Sequence, residues 1–151
     1  MTMSTSTDSI LAYGYDLGED YGFDWDDETP RPEWIDSEEY EAAENTLLAA
    51  NGFTEPEPDF DTDRDGWLAW SKRRDDAKKE LGVEMVMHCS DSCTMWLLTA
   101  RHFEASRGYP VEVDMHLPEN ADERLAWAVE VLGLTKFRGA KSKWLLASWW
   151  G

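Results

Sequence analysis

Acidic side chains are not spread along this chain. They are gathered in its first 65 residues, where twenty Asp and Glu stand against only Arg31 and Arg64. From residue 66 onward twelve acids and twelve bases cancel, so the net charge of −18 belongs to fewer than half of the 151 residues. Such a field repels phosphate and anionic lipid, and it attracts the basic surfaces that normally hold nucleic acid. Hydrophobic residues still make up 42% of the chain, which argues against wholesale disorder. A single domain over 1–151 with a real core is expected at this length.

The punctuation of the sequence divides it into elements. Ser9 to Tyr15 reads as a short strand rich in aliphatic and aromatic side chains. Residues 16–36, with Gly18, Gly22, Pro30 and Pro32, read as an acidic loop that carries Tyr21, Phe23, Trp25 and Trp34. That is too much aromatic surface for an inert linker. Ser37 is expected to cap a helix running to about Asn51, with Tyr40, Ala43, Leu47 and Ala50 on its apolar face. Glu38, Glu41 and Glu44 then fall on a solvated ridge. Gly52-Phe53 matches a Schellman ending, and residues 54–62 form an acidic, proline-containing connector.

A second helix is expected from Asp63 or Asp65 to Leu81, and a third over 120–132 with Asn120 and Glu123 as a capping box. Between them the period changes to two. Val83-Met85-Met87-Cys89, Met95-Leu97-Thr99 and Val111-Val113-Met115 read as an antiparallel meander, with Ser90-Asp91-Ser92 as one turn. Residues 143–150 alternate apolar side chains on both faces, as an interior or covered strand does. The order predicts an α+β fold: an antiparallel sheet of four or five strands with three helices packed on it. Its core is expected to join the Met85/Met87/Met95/Leu97 face to Leu125 and Val129.

The segments Ile10-Leu11-Ala12-Tyr13-Gly14-Tyr15-Asp16-Leu17-Gly18, Ala77 to Glu84 ending in Leu81-Gly82-Val83-Glu84, and Trp144-Leu145-Leu146-Ala147-Ser148-Trp149-Trp150-Gly151 carry a family resemblance. Together they resemble landmarks of small, uncharacterised acidic proteins of actinobacteria and their phages. The resemblance implies a phage or prophage context and supplies no catalytic residue.

Motifs for chemistry are sparse. Asp61, Asp63 and Asp65 followed by Gly66 match the start of a calcium loop, but Lys72 stands where an EF-hand needs a bidentate glutamate. An Asp-rich helix N-terminus explains the same residues through the macrodipole. His88, Cys89, Cys93 and His102 invite a zinc reading, yet adjacent strand residues point to opposite faces, so two buried or half-buried reduced thiols are the better expectation. Lys72-Arg73-Arg74 with Lys78 and Lys79 is interleaved with Asp75, Asp76 and Glu80, as on a solvated helix face. There is neither a Gly-x-Ser-x-Gly elbow nor a glycine-rich phosphate loop, so an enzyme is not predicted.

The N-terminus lacks a basic and apolar leader, apolar runs are short, and two cysteines make no disulfide framework. A host-cell cytoplasmic protein without membrane or direct nucleic-acid contact is expected. The leading expectation for function is a non-enzymatic acidic binding protein that occludes a basic, nucleic-acid-binding surface of a host protein, in the manner of a nucleic-acid mimic that inhibits a defence or regulatory system. Asp24, Trp25, Asp26, Asp27, Glu28, Trp34, Glu38, Glu41 and Glu44 are its expected contact residues. The alternatives are a homo-oligomer joined through the tryptophan-rich final strand and a calcium-responsive module at 61–72.

Overall fold

The computed structural model describes residues 7–23, 28, 30–35 and 41–150. Over the described residues the fold is α+β: three α-helices and a four-stranded mixed sheet. In chain order the strands are β1 (Thr7–Gly18), β2 (Glu84–Ser90), β3 (Thr94–Ser106) and β4 (Lys143–Trp150). The helices are α1 (Ala42–Ala50), α2 (Arg64–Glu80) and α3 (Ala121–Leu132). Strands β1–β3, β1–β4 and β2–β3 pair antiparallel. The sheet closes into a small barrel where Cys89 and Ser90 of β2 run parallel to Trp149 and Trp150 of β4. That parallel seam departs from the all-antiparallel expectation.

Two layers of apolar side chains result. Ile10, Ala12, Val86 and Leu97 fill the barrel, with Leu145, Ala147 and Trp149 against them. Outside it, Tyr15, Leu17, Leu98 and Val83 meet Leu47 and Leu48 of α1 and Leu125, Ala128, Val129 and Leu132 of α3. Strand β1 serves both layers because its register with β3 shifts between Tyr13 and Gly14, as a bulge re-aims side chains. A β-carbon at Gly14 would drive into the Leu98 carbonyl, so only glycine lets the two backbones approach there.

The expected core face is corrected by one residue. Asp91 and Ser92 alone form the hairpin turn, with Ser90 and Cys93 exchanging backbone hydrogen bonds of 3.3 Å. Val86 therefore pairs with Leu97 and Met85 with Leu98. A three-residue turn would have put Met85 and Leu97 on one face; a two-residue turn puts them on opposite ones, since a single-residue slip flips a strand. Leu97 lies in the barrel and Met85 against the helices.

The expected strand at 111–115 is not formed. Residues 107–118 lie outside any helix or strand, and Val111, Val113 and Met115 are 43–49% exposed. Helix α1 ends as expected, Phe53 N–H donating to Leu48 O at 2.9 Å and Gly52 N–H to Ala49 O at 3.1 Å. The same pair of bonds closes α3, with Gly133 left-handed at φ 69°. The Asn120 side chain makes no capping bond, so the predicted capping box is absent. The Ser37 cap lies outside the described residues.

Candidate functional site

The acid ridge of α1 is not the open surface that its spacing predicts. Arg74, only 9% exposed, reaches from α2 to Glu41 at 3.1 Å and Asn45 at 2.9 Å, with Glu44 at 3.6 Å. Lys78 binds Glu44 at 2.9 Å, and that bond holds its ammonium above the usual lysine range. Glu41 and Glu44 thus join α1 to α2. The cations that the sequence places 30 to 34 residues away neutralise them, a pairing that local helical periodicity cannot reveal.

Trp34 is also turned inward. Its Nε1–H donates to Leu132 O at 2.9 Å, and Tyr21 packs edge-on against it at 4.9 Å. Tyr21 also stacks on Trp96 at 5.8 Å, and burial pushes its phenol up to about 12. Aromatic side chains of the 16–36 segment thus dock on this chain's own core, and Trp34 is left half-buried with part of its ring at the surface. Residues 16–18 belong to β1 rather than to a loop. Glu28 is exposed; Asp24, Trp25, Asp26, Asp27 and Glu38 lie outside the described residues.

A second acidic surface lies on the connector into α2. Glu57, Asp59, Asp61, Asp63 and Asp65 occupy every second position and are all exposed, with Arg64 the one base among them. The segment is folded rather than loose. Glu57 accepts from Trp67 Nε1–H at 2.9 Å, Asp59 accepts from the Asp61 N–H at 2.9 Å, and Asp63 caps α2 by accepting from Gly66 N–H at 3.0 Å. Phe60 packs edge-on against Trp67 at 5.2 Å, and the Arg64 guanidinium lies over the Phe60 ring at 5.6 Å. Glu55 anchors the start of the segment through two 3.0 Å contacts to Arg73 Nε. The Asp61 and Asp65 carboxylates take no partner among the described residues. Phe60 and Leu68, 46% and 50% exposed, flank these carboxylates. The i, i+2 run of acids is the sequence signal for this surface, in a stretch whose local motifs point to a connector, a calcium loop or a helix N-terminus.

Asp61, Asp63 and Asp65 are not gathered around a common centre. Among the described residues no group of three or more His, Cys, Asp or Glu could hold a metal ion. Asp63 is committed to its cap, as the macrodipole reading requires. The thiols of Cys89 and Cys93 are free and half-buried, and the neighbouring Cys89 thiol raises that of Cys93. They are offset rather than opposed, since Cys89 pairs with Thr94. The histidines sit elsewhere, His88 Nε2 3.8 Å from Asp16 and His102 Nδ1 3.5 Å from Glu84.

One polar cluster had no signal in the sequence. Ser142 Oγ–H donates to Asp122 Oδ1 at 2.5 Å, Tyr13 O–H donates to the same oxygen at 2.8 Å, and the two hydroxyls lie 3.0 Å apart. Bonds first from Ser142 and then from Tyr13 hold the Asp122 carboxyl below the usual range. The cluster ties β1, α3 and the approach to β4 together beside an open cleft of about 440 Å³, lined further by Tyr15, Phe137, Arg138 and Lys141. Both hydroxyls bond the same oxygen of this exposed carboxylate and so brace the three segments against one another.

No family model, curated protein or solved structure matches this chain. No helix among the described residues is long and apolar enough to cross a membrane.

Proposed function

We propose that this protein is a non-enzymatic acidic binding protein whose carboxylates replace phosphate on a basic, nucleic-acid-binding surface of another protein. The observation that carries the reading is the 57–65 segment: five exposed carboxylates at alternate positions with one base, on a backbone held by the Trp67 bond to Glu57, the Asp59 turn and the α2 cap. Fixed charges lose little entropy on binding, which favours a preorganised surface over a mobile acidic tail. Phe60 and Leu68 beside them offer apolar contact that phosphate lacks. The overall charge of −18 adds long-range steering toward a cationic partner.

A host-cell setting and a phage-derived origin follow the family resemblance and belong to the same proposal, with a defence or regulatory system as the target class. The test is capture of partners from host lysate at low and moderate salt. Charge-driven capture has to weaken steeply as ionic strength rises. The Asp61→Lys/Asp65→Lys double variant should lose the same partners. Salt-insensitive capture that the double variant retains would refute the reading.

A second reading has its own observation. Leu146 and Trp150 on the outer face of β4 are 80% and 58% exposed, the surface that a strand-mediated homo-oligomer would use. Light scattering at high salt separates the two, because an apolar oligomer persists where a charge-driven complex dissolves.

A further inference from the structure

We propose that residues 110–116 are an addition site for a β-strand of a partner that alternates apolar residues with Lys or Arg. The sequence there, Pro110-Val111-Glu112-Val113-Asp114-Met115-His116, has the period of two that a half-buried strand requires. Yet the segment has no strand partner among the described residues. Its residues are exposed, and none of the N–H groups from Val111 to Met115 finds a backbone acceptor among the described residues. It is tethered at both ends: Tyr109 N–H donates to Ser106 O at 2.9 Å, and His116 O accepts from Arg101 Nη1 at 2.5 Å. A tethered, alternating segment offers an incoming strand the same unpaired backbone groups that a sheet edge does, so main-chain bonds would supply affinity and alternate side chains specificity.

The charge of the segment decides the occupant. Paired as a strand, the segment puts Val111, Val113 and Met115 on one face and Glu112 and Asp114 on the other. A second copy aligned to bring the apolar faces together must also bring acids onto acids. About Val113, an antiparallel pair sets Glu112 opposite Asp114 of the other copy, and like charges directly opposite are destabilising. With −18 on each copy the long-range field adds to the penalty. A strand with Lys or Arg at those positions converts both contacts into attractive ones. This inference shares only the sign of the partner's charge with the proposed function and concerns a different part of the chain.

The experiment uses the full chain and a synthetic heptapeptide, Lys-Val-Lys-Val-Lys-Val-Lys, with amide hydrogen exchange as the readout. Two controls keep its length: a block isomer of the same composition, and a Glu-Val alternating peptide. Exchange should slow at alternate amides within 111–115, with the alternating cationic peptide alone. Val113→Pro removes a donor from an exposed, unpaired position, so it should abolish protection while leaving the melting temperature unchanged. Glu112→Lys/Asp114→Lys should invert the preference, weakening the cationic peptide roughly tenfold and admitting the Glu-Val peptide. Equal protection by the block isomer, persistence of protection in Val113→Pro, or no inversion would overturn the proposal. Protection confined to 57–65 would overturn it while leaving the proposed function standing; protection at 111–115 that survives Asp61→Lys/Asp65→Lys would separate them the other way.

Discussion

Replacing Arg74 by methionine should cost about 2 kcal/mol, because this one guanidinium joins α2 to α1. Its Nη2 donates to the Glu41 carboxylate at 3.1 Å and to the Asn45 amide oxygen at 2.9 Å. A bond to a charged group contributes roughly 1.5–3 kcal/mol and a neutral one about 1. The Glu41 side chain is 49% exposed and recovers hydration once released, which discounts the first figure. The net loss therefore falls below the roughly 3–5 kcal/mol seen when a fully buried pair is broken. Methionine keeps the stem against Trp70, whose ring the guanidinium covers at 5.9 Å, so packing loss stays small. Urea unfolding read by tryptophan fluorescence and by circular dichroism measures the change. A double-mutant cycle with Glu41→Gln should return a coupling of about 1 kcal/mol. A cost under about 0.5 kcal/mol with no coupling would refute the reasoning and return Glu41 and Glu44 to a free acidic ridge.

Gly14→Ala should cost roughly 2–4 kcal/mol or prevent folding, since the added carbon meets the Leu98 carbonyl; thermal melts check it. Leu97→Ala, at a barrel position 1% exposed, should cost roughly 2–5 kcal/mol in urea unfolding, and a surface-like loss below half of one would contradict the register. Asp122 has a folded pKa below its unfolded value, so its contribution is complete above the ordinary carboxylate range and lost as pH falls through that range toward the folded value. Asp122→Asn should remove that part of the acid sensitivity, read as a flatter dependence of stability on pH. Millimolar calcium should leave Trp67 and Trp70 fluorescence unchanged, because Asp63 is held by the Gly66 N–H and the three aspartates share no centre.

Period and punctuation made most of the fold legible. The apolar spacing of 125, 128, 129 and 132, the glycine endings at 52 and 133, and the alternation of 143–150 all describe elements that the structure contains. Register was the part most easily lost, because one residue of turn length decides which face Leu97 takes. Alternation at 111–115 was real but could not say whether a partner strand exists in the same chain. Charge was legible as a total and misleading as a map: Glu41 and Glu44 count toward −18 yet are answered by Arg74 and Lys78. The Tyr13–Asp122–Ser142 brace joins residues as many as 129 positions apart, and nothing in their local sequence marks them.

Competition on a captured partner tests the central claim most directly. A labelled oligonucleotide is bound to that partner, the acidic protein is added, and fluorescence anisotropy follows release. Carboxylates standing in for phosphate predict full displacement, weakened by salt and lost in Asp61→Lys/Asp65→Lys. A ternary complex, with the oligonucleotide still bound at saturating acidic protein, would contradict it.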